Sequence, residues 1–224
     1  MVLFLAGIFT LANVAIRGAV TLHYFKYFVG DDGSAWLGVF DLTTVFMTSS
    51  ALALIAGVAC TPWFTRFAGK RELMIWLSAA NALAMASFFF IPPDAITLML
   101  VMNIVGTFII GPTPALVWAM FADTADYGLW KLGHRSTALV FSAAQFAQKM
   151  GLTVGGFLAG WVLAGFGFVA NTTQTDSGML GIRLLFTLVP AGFALAGVLA
   201  IWFYPLREAD VRQMEADLAS RADD

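Results

Sequence analysis

The chain has 224 residues, a formal net charge of −2, and only 12% charged residues against 60% hydrophobic ones. A soluble domain carries roughly 25% charged residues, so this chain lacks the polar groups to cover a globule in water, and its natural solvent is lipid. The near-neutral charge argues against a nucleic-acid partner, and the single cysteine, Cys60, leaves neither a disulfide framework nor a thiolate metal site.

Six apolar stretches are long enough to cross a hydrocarbon core, which takes about 20 helical residues. The first, 1–24, is not a secretory signal, because Met1-Val2-Leu3-Phe4 has no basic n-region and the apolar run continues too far. It carries Arg17 in its outer third, with Asn13 one turn earlier. Arg17 reads either as a side chain snorkelling to the outer interface or as part of a cavity-facing stripe with Asn13. After the turn Gly30-Asp31-Asp32-Gly33 comes a second span at 36–59, with Asp41 near its outer end as a gate residue or a plain helix-end carboxylate. Pro62 breaks the chain before the third span, 71–91, and Pro92-Pro93-Asp94 before the fourth, 95–121.

Asp123 and Asp126 follow the fourth span at i, i+3 spacing, which puts both carboxylates on one helix face. Asp126-Tyr127-Gly128 reads as a turn, after which Lys131, His134 and Arg135 can fold back on them. Such a cluster could gate a cytoplasmic passage or form a static ion-pair patch. The fifth span, 137–163, holds Lys149 about thirteen residues from its start, with Gln145 one turn before and Gln148 adjacent. A charge at that depth costs roughly 2.5–3.5 kcal/mol on insertion scales. The ammonium and two amides suit a polyhydroxylated ligand; a facing carboxylate, or packing alone, would also account for the lysine. Gly151, Gly155, Gly156 and Gly160 make small-xxx-small pairs that let another helix approach. A polar run from Asn171 to Ser177 precedes the sixth span, 180–204. In the tail, 205–224, Val211, Met214 and Leu218 recur at helical spacing among charges, as in a short helix on the bundle or the membrane.

The spans are apolar all round, which excludes a soluble all-α bundle. Arg66, Lys70, Arg71, Lys131, Arg135, Arg207, Arg212 and Arg221 fall on one side, and only Lys26 and Arg183 on the other. Eight against two places the basic side, with both termini, in the cytoplasm. Lys26 following a first span with no basic residue before it opposes this, unless a cytoplasmic segment normally precedes Met1. No phosphate loop, zinc-protease pattern or nucleophile elbow is present. His23 and His134 are far apart, so neither catalysis nor a metal site is expected.

The stretch Phe121-Ala-Asp-Thr-Ala-Asp-Tyr-Gly-Leu-Trp-Lys-Leu-Gly-His-Arg135 resembles a signature of the glycoside–pentoside–hexuronide:cation symporters, the melibiose-permease group of the major facilitator superfamily. The resemblance continues through Phe141-Ser142-Ala143, Gln148-Lys149-Met150-Gly151 and Gly155-Gly156-Phe157-Leu158-Ala159-Gly160-Trp161. It also takes in the loop Arg66 to Arg71 and the tail opening Tyr204-Pro205-Leu206. It implies an all-α membrane protein whose six transmembrane helices, 1–204, form one half of a major facilitator fold as two three-helix repeats, 1–91 and 95–204, with 205–224 as a cytoplasmic tail. It implies a gating network of Asp123, Asp126 and Arg135, and sugar contacts from Lys149, Gln145 and Gln148. The family's tryptophan is replaced by Pro114, with Trp118 one turn later as the candidate stacking residue. Leu129 and Thr137 stand where the family carries acidic residues.

The family has two such halves with the substrate between them, and the carboxylates that bind the coupling cation belong mainly to the N-terminal one. The resemblance thus implies Na⁺- or H⁺-coupled sugar symport at the cell inner membrane, without a further cofactor, by a C-terminal half that needs an N-terminal half, whether fused, separate or lost. A non-transporting remnant or scaffold, or a carrier of a lipid-like ligand, are the alternatives.

Overall fold

The structure, a computed structural model, describes residues 1–133 and 136–222, side chains 132, 221 and 222 excepted. Its helices are α1 (Val2–His23), α2 (Leu42–Ala59), α3 (Thr61–Phe64), α4 (Lys70–Ser87), α5 (Ile96–Ile110), α6 (Thr113–Leu132), α7 (Thr137–Gly165), α8 (Asp176–Phe186), α9 (Leu188–Trp202) and α10 (Glu208–Ala222). Six long rods result: α1, α2, α4, α5 with α6, α7, and α8 with α9. Among the described residues, five are long and apolar enough to cross a membrane. The remaining rod, α7, is the longest single helix at 29 residues, about 43 Å at 1.5 Å per residue. Its Gln145, Gln148, Lys149 and five glycines reduce its hydropathy, not its reach.

The expected spans need local correction. α1 runs on through a π-helical turn, Tyr24–Val29, to a left-handed Gly30 (φ 85°). The fourth rod does not end at residue 121, and Asp126-Tyr127-Gly128 is not a turn. The helix continues to Leu132 and is capped by Gly133 in the left-handed region (φ 73°). A lone glycine inside a helix costs only about 1 kcal/mol, and the left-handed C′ position that favours glycine lies five residues further on. The same rod is interrupted at Gly111-Pro112, and the sixth at Thr187. The sixth also starts early, at Asp176, where the Thr175 hydroxyl accepts from the Gly178 N–H.

Contacts fix the direction of every rod. Gly151 lies against Ile8 and Leu11, and Gly155 against Ala12 and Ala15, so α1 and α7 run parallel. A Cβ at Gly155 would stand 2.5 Å from the Ala12 carbonyl oxygen, which only glycine permits. α2 and α5 are likewise parallel: Phe46 meets Asn103, and Gly57 meets Phe108 and Gly111. Arg71 reaches Trp202 while Arg183 reaches Phe89, so α4 opposes the sixth rod. Phe9 meets Phe193 and Tyr24 meets Phe186, so α1 opposes it as well. Lys70 meets Asp123 and Gly106 meets Ala84, so α4 also opposes the fourth rod. The main helix contacts are α1–α7, α1–α9, α4–α9, α2–α5 and α4–α5. Exchanging the first three rods for the last three maps this set onto itself with every direction reversed, the pattern of two inverted three-helix repeats.

Two apolar clusters fill the bundle. One, around Leu73, Met74, Leu116, Met120, Phe121 and Ile201, lies at the end that carries most Lys and Arg. The tail helix α10 docks there: Val211 and Met214 are buried, Leu218 packs beside them, and the Trp130 indole donates to Asp217 at 2.9 Å. The other cluster, around Ile16, Tyr24, Phe25, Phe46, Phe88, Ile182 and Phe186, fills the opposite end.

Candidate functional site: a polar layer at mid-depth

Between the two apolar clusters lies a cavity of about 320 Å³, within the range of small-molecule sites. It is lined from α1 by Asn13 and Arg17, from α2 by Ser50, from α4 by Ser78 and Asn81, and from α5 by Asn103. The three asparagines and Ser78 are buried. Asn103 donates to the Phe46 carbonyl oxygen at 3.2 Å and to the Ser50 hydroxyl, and Ser50 in turn donates to Phe46 at 2.8 Å. Asn13 Oδ1 and Arg17 Nη2 are shielded from solvent and have no hydrogen-bond partner among the described residues. The mouth is bordered by exposed Val14, Gly18, Met47 and Leu54.

Arg17 does not snorkel. Its guanidinium stands 4.7 Å from the Phe186 ring centroid and 5.1 Å from that of Phe88. Two aromatic faces attract it by about 0.5–2 kcal/mol each, and both belong to other rods. Of the two readings open from sequence, the cavity-facing stripe with Asn13 is the one adopted. Asp41 is a helix-end carboxylate, the N-cap of α2, accepting from the Thr44 N–H at 3.2 Å.

α7 presents three faces. Ala144, Ala147, Gly151, Gly155 and Ala159 are buried, with Gly151 and Gly155 against α1. Leu139, Phe146, Met150, Phe157 and Trp161 form an exposed apolar stripe. Ser142, Gln145, Lys149, Thr153, Gly156 and Gly160 follow one another at i+3 or i+4 and are all exposed. This third stripe is polar or small, and a Cβ at Gly156 or Gly160 would meet nothing within 4 Å. Lys149 and Gln145 share it, while Gln148 is half-buried at its edge. Among the described residues, Lys149 has no carboxylate partner.

Trp118 lies on α6. Its ring stacks on Phe141 at 5.8 Å and also meets Phe121 at 6.2 Å, beside the apolar cluster of the basic end.

At that end Asp123 is buried and accepts both ends of a contact with Lys70 Nζ, at 2.9 and 2.8 Å. Lys70 opens α4, so the pair ties the third rod to the fourth. Asp126 is half-buried, and Arg135 lies outside the described residues. Nearby, the Tyr204 hydroxyl meets Thr124 Oγ1 at 3.2 Å and donates to the Met120 carbonyl oxygen at 3.3 Å. Burial pushes the Tyr204 phenol up to about 12, so it stays a neutral donor.

Sequence reasoning had left Arg17 open and missed Ser50, Ser78, Asn81 and Asn103. The available signal was a buried-type amide in each of three apolar spans, since polar groups inside a span face a cavity or each other.

The sequence matches the family described as MFS/sugar transport protein over residues 1–208. Among curated proteins it is similar to the inner membrane symporter YicJ of Escherichia coli (strain K12), at 30% identity over 96% of this chain and 45% of that protein. It is similar to the isoprimeverose transporter of Lactiplantibacillus pentosus at 31% identity, over 100% of this chain and 46% of that protein. It is also similar to the glucuronide carrier protein homolog of Escherichia coli (strain K12), at 27% identity, over 91% and 43% of the two chains. The chain spans about half the length of the curated relatives it matches. It is a multi-pass membrane protein, and it belongs to the MFS/sugar transport protein family.

Proposed function

We propose that this chain is the C-terminal half of a secondary active carrier that moves a sugar or glycoside together with Na⁺ or H⁺. An N-terminal six-helix half closes the site from the other side and supplies most of the carboxylates for the cation. The observation that carries this reading is the open stripe of α7. An unpaired ammonium with amide and hydroxyl neighbours would be costly against lipid. The stripe is at home against a hydrated cavity and a second half, whereas the adjacent apolar stripe suits lipid. The relatives are transporters, which favours transport over catalysis. With the basic end in the cytoplasm, both termini and α10 lie there, and Lys70–Asp123 belongs to a cytoplasmic gate with Asp126 and Arg135.

The test is uptake. Cells or vesicles carrying this chain with an N-terminal half are given labelled glycosides under an imposed Na⁺ or proton gradient. Accumulation that collapses with the gradient supports symport. A correctly inserted protein that accumulates no glycoside under either gradient is a scaffold or remnant.

A further inference from the structure

We propose that the loop between α1 and α2 is an interfacial anchor. Its Trp36, Leu37, Val39 and Phe40 insert among the lipids of the leaflet opposite the basic end, at the boundary between headgroups and acyl chains. The anchor requires a membrane, which the multi-pass fold supplies, and does not require sugar symport.

From Gly33 to Phe40 the chain carries no charged residue, and Asp32 and Asp41 bracket the segment. Leu37 and Phe40 pair as a minimal antiparallel bridge around Gly38-Val39. Gly38 is left-handed (φ 65°), as the first position of a two-residue hairpin turn requires. The Trp36 and Leu37 N–H groups donate to the Phe40 carbonyl oxygen at 2.8 and 3.0 Å, and the Phe40 N–H donates to that of Leu37 at 3.1 Å. These backbone groups are satisfied within the turn, which is the condition for leaving water. The side chains are not covered by the bundle: all four are exposed, Val39 at 86%. Large apolar groups gathered on one short turn are costly in water and mark a contact surface.

Depth identifies what covers them. Ser50 lines the mid-depth cavity, and Asp41, the N-cap of the same helix, lies nine residues earlier, about 13 Å at 1.5 Å per residue. A hydrocarbon core about 30 Å thick ends about 15 Å from its centre, so α2 enters it near Asp41. The other foot of the loop stands at the same level, because Asp31 accepts from the Thr43 N–H at 2.8 Å. A short loop with both feet at the boundary keeps its tip near the headgroups. Its two sides differ in chemistry. Asp31, Asp32 and Asp41 line a cavity of about 650 Å³ together with His23, Lys26 and Asn171, and none of the four apolar side chains lines it. The charged side therefore faces water. The apolar side faces away from it, at the depth where tryptophan and other amphipathic groups settle in membranes.

The test is a depth measurement. Cys60, the only cysteine, is replaced by Ser, and Val39→Cys carries an environment-sensitive nitrobenzoxadiazole label. The full chain is inserted with a cysteine-free N-terminal half into phosphatidylcholine–phosphatidylglycerol vesicles. Quenching is read with lipids spin-labelled at acyl carbon 5 or 12, and with iodide in the water. A label at Asp32→Cys, on the charged side, is the aqueous reference. The Val39 label is expected to be quenched at least threefold more than the reference by the carbon-5 lipid, less by the carbon-12 lipid, and at least threefold less than the reference by iodide. Phe40→Cys should repeat the pattern, so that a local distortion in one variant does not decide the outcome. Iodide quenching equal to the reference, without quenching by lipid, overturns the proposal: the turn then stands in water. Shielding from both iodide and spin-labelled lipid also overturns it, because protein then covers the turn. Glycoside uptake by the same vesicles separates the two readings: lipid quenching without uptake keeps the anchor and sinks symport.

Discussion

The basic end of the bundle and its middle treat charge in opposite ways. At the basic end Lys70 is neutralised by Asp123, Asp217 takes the Trp130 indole, and the apolar face of α10 seals the surface. At mid-depth, among the described residues, Arg17 and Lys149 have no carboxylate, and Asn13 keeps an unsatisfied oxygen. Pairing is absent where an unpaired charge is most costly and present where water is near. Stability alone would produce the reverse arrangement. The middle is therefore organised for a ligand or partner, and the end for holding the bundle together.

The sharpest way to break this contrast is Lys149→Ala. In the assembled carrier it is expected to lower coupled uptake by 100-fold or more, about 2.7 kcal/mol of lost transition-state or binding energy. Because the side chain is exposed, thermal stability should move by less than about 0.5 kcal/mol. Lys149→Arg should give an intermediate loss, since a planar fork does not replace a compact ammonium. Normal uptake by Lys149→Ala would remove the lysine from the site.

Met214→Ala addresses the opposite region. Met214 is 1% exposed, and emptying such a position costs about 2–5 kcal/mol. The expected effect, near the lower bound because α10 docks at one surface, is a local release of residues 208–222. Faster proteolysis and hydrogen exchange there, with α1 to α9 unchanged, would show it. Unaltered protection of α10 would mean that its apolar contacts do not hold it.

The contrast was only half legible in the sequence. The spans followed from apolar length, which is local. The polar layer was not local. Its amides sit at 13, 81 and 103, on three rods, and nothing in one helix says which way another will turn an asparagine. Arg17 stays open between snorkelling and a cavity-facing stripe, because its own helix allows both. The two rings that hold it lie on α8 and at the end of α4, well over sixty residues away. Asp123 or Asp126 is expected beside Arg135, which lies outside the described residues; the partner that the structure gives Asp123 is Lys70, 53 residues back. Gly128 was read as a breaker because a turn chemistry rule weighs the glycine and not the helix formers on either side of it.

The smallest effect is expected from removing the Lys70–Asp123 pair altogether. The side chains are 29% and 11% exposed, at the edge of the bundle. Taking out one partner strands the other: Asp123→Leu leaves a half-buried ammonium facing an apolar residue, and Lys70→Met leaves a buried carboxylate without its donor. Each single change should cost about 1–3 kcal/mol, read as a lower unfolding midpoint in detergent. In the double variant no charge is stranded, and two apolar side chains of similar reach meet where the ions did. Its stability should return to within about 1 kcal/mol of the wild type, because the Coulomb gain of such a pair and its desolvation cost nearly cancel. A double variant as unstable as the singles would mean that the pair does more than bridge α4 to α6. A double variant with wild-type stability and altered transport would separate the two roles, leaving the fold to the apolar contacts beneath the pair and the gate to its charges.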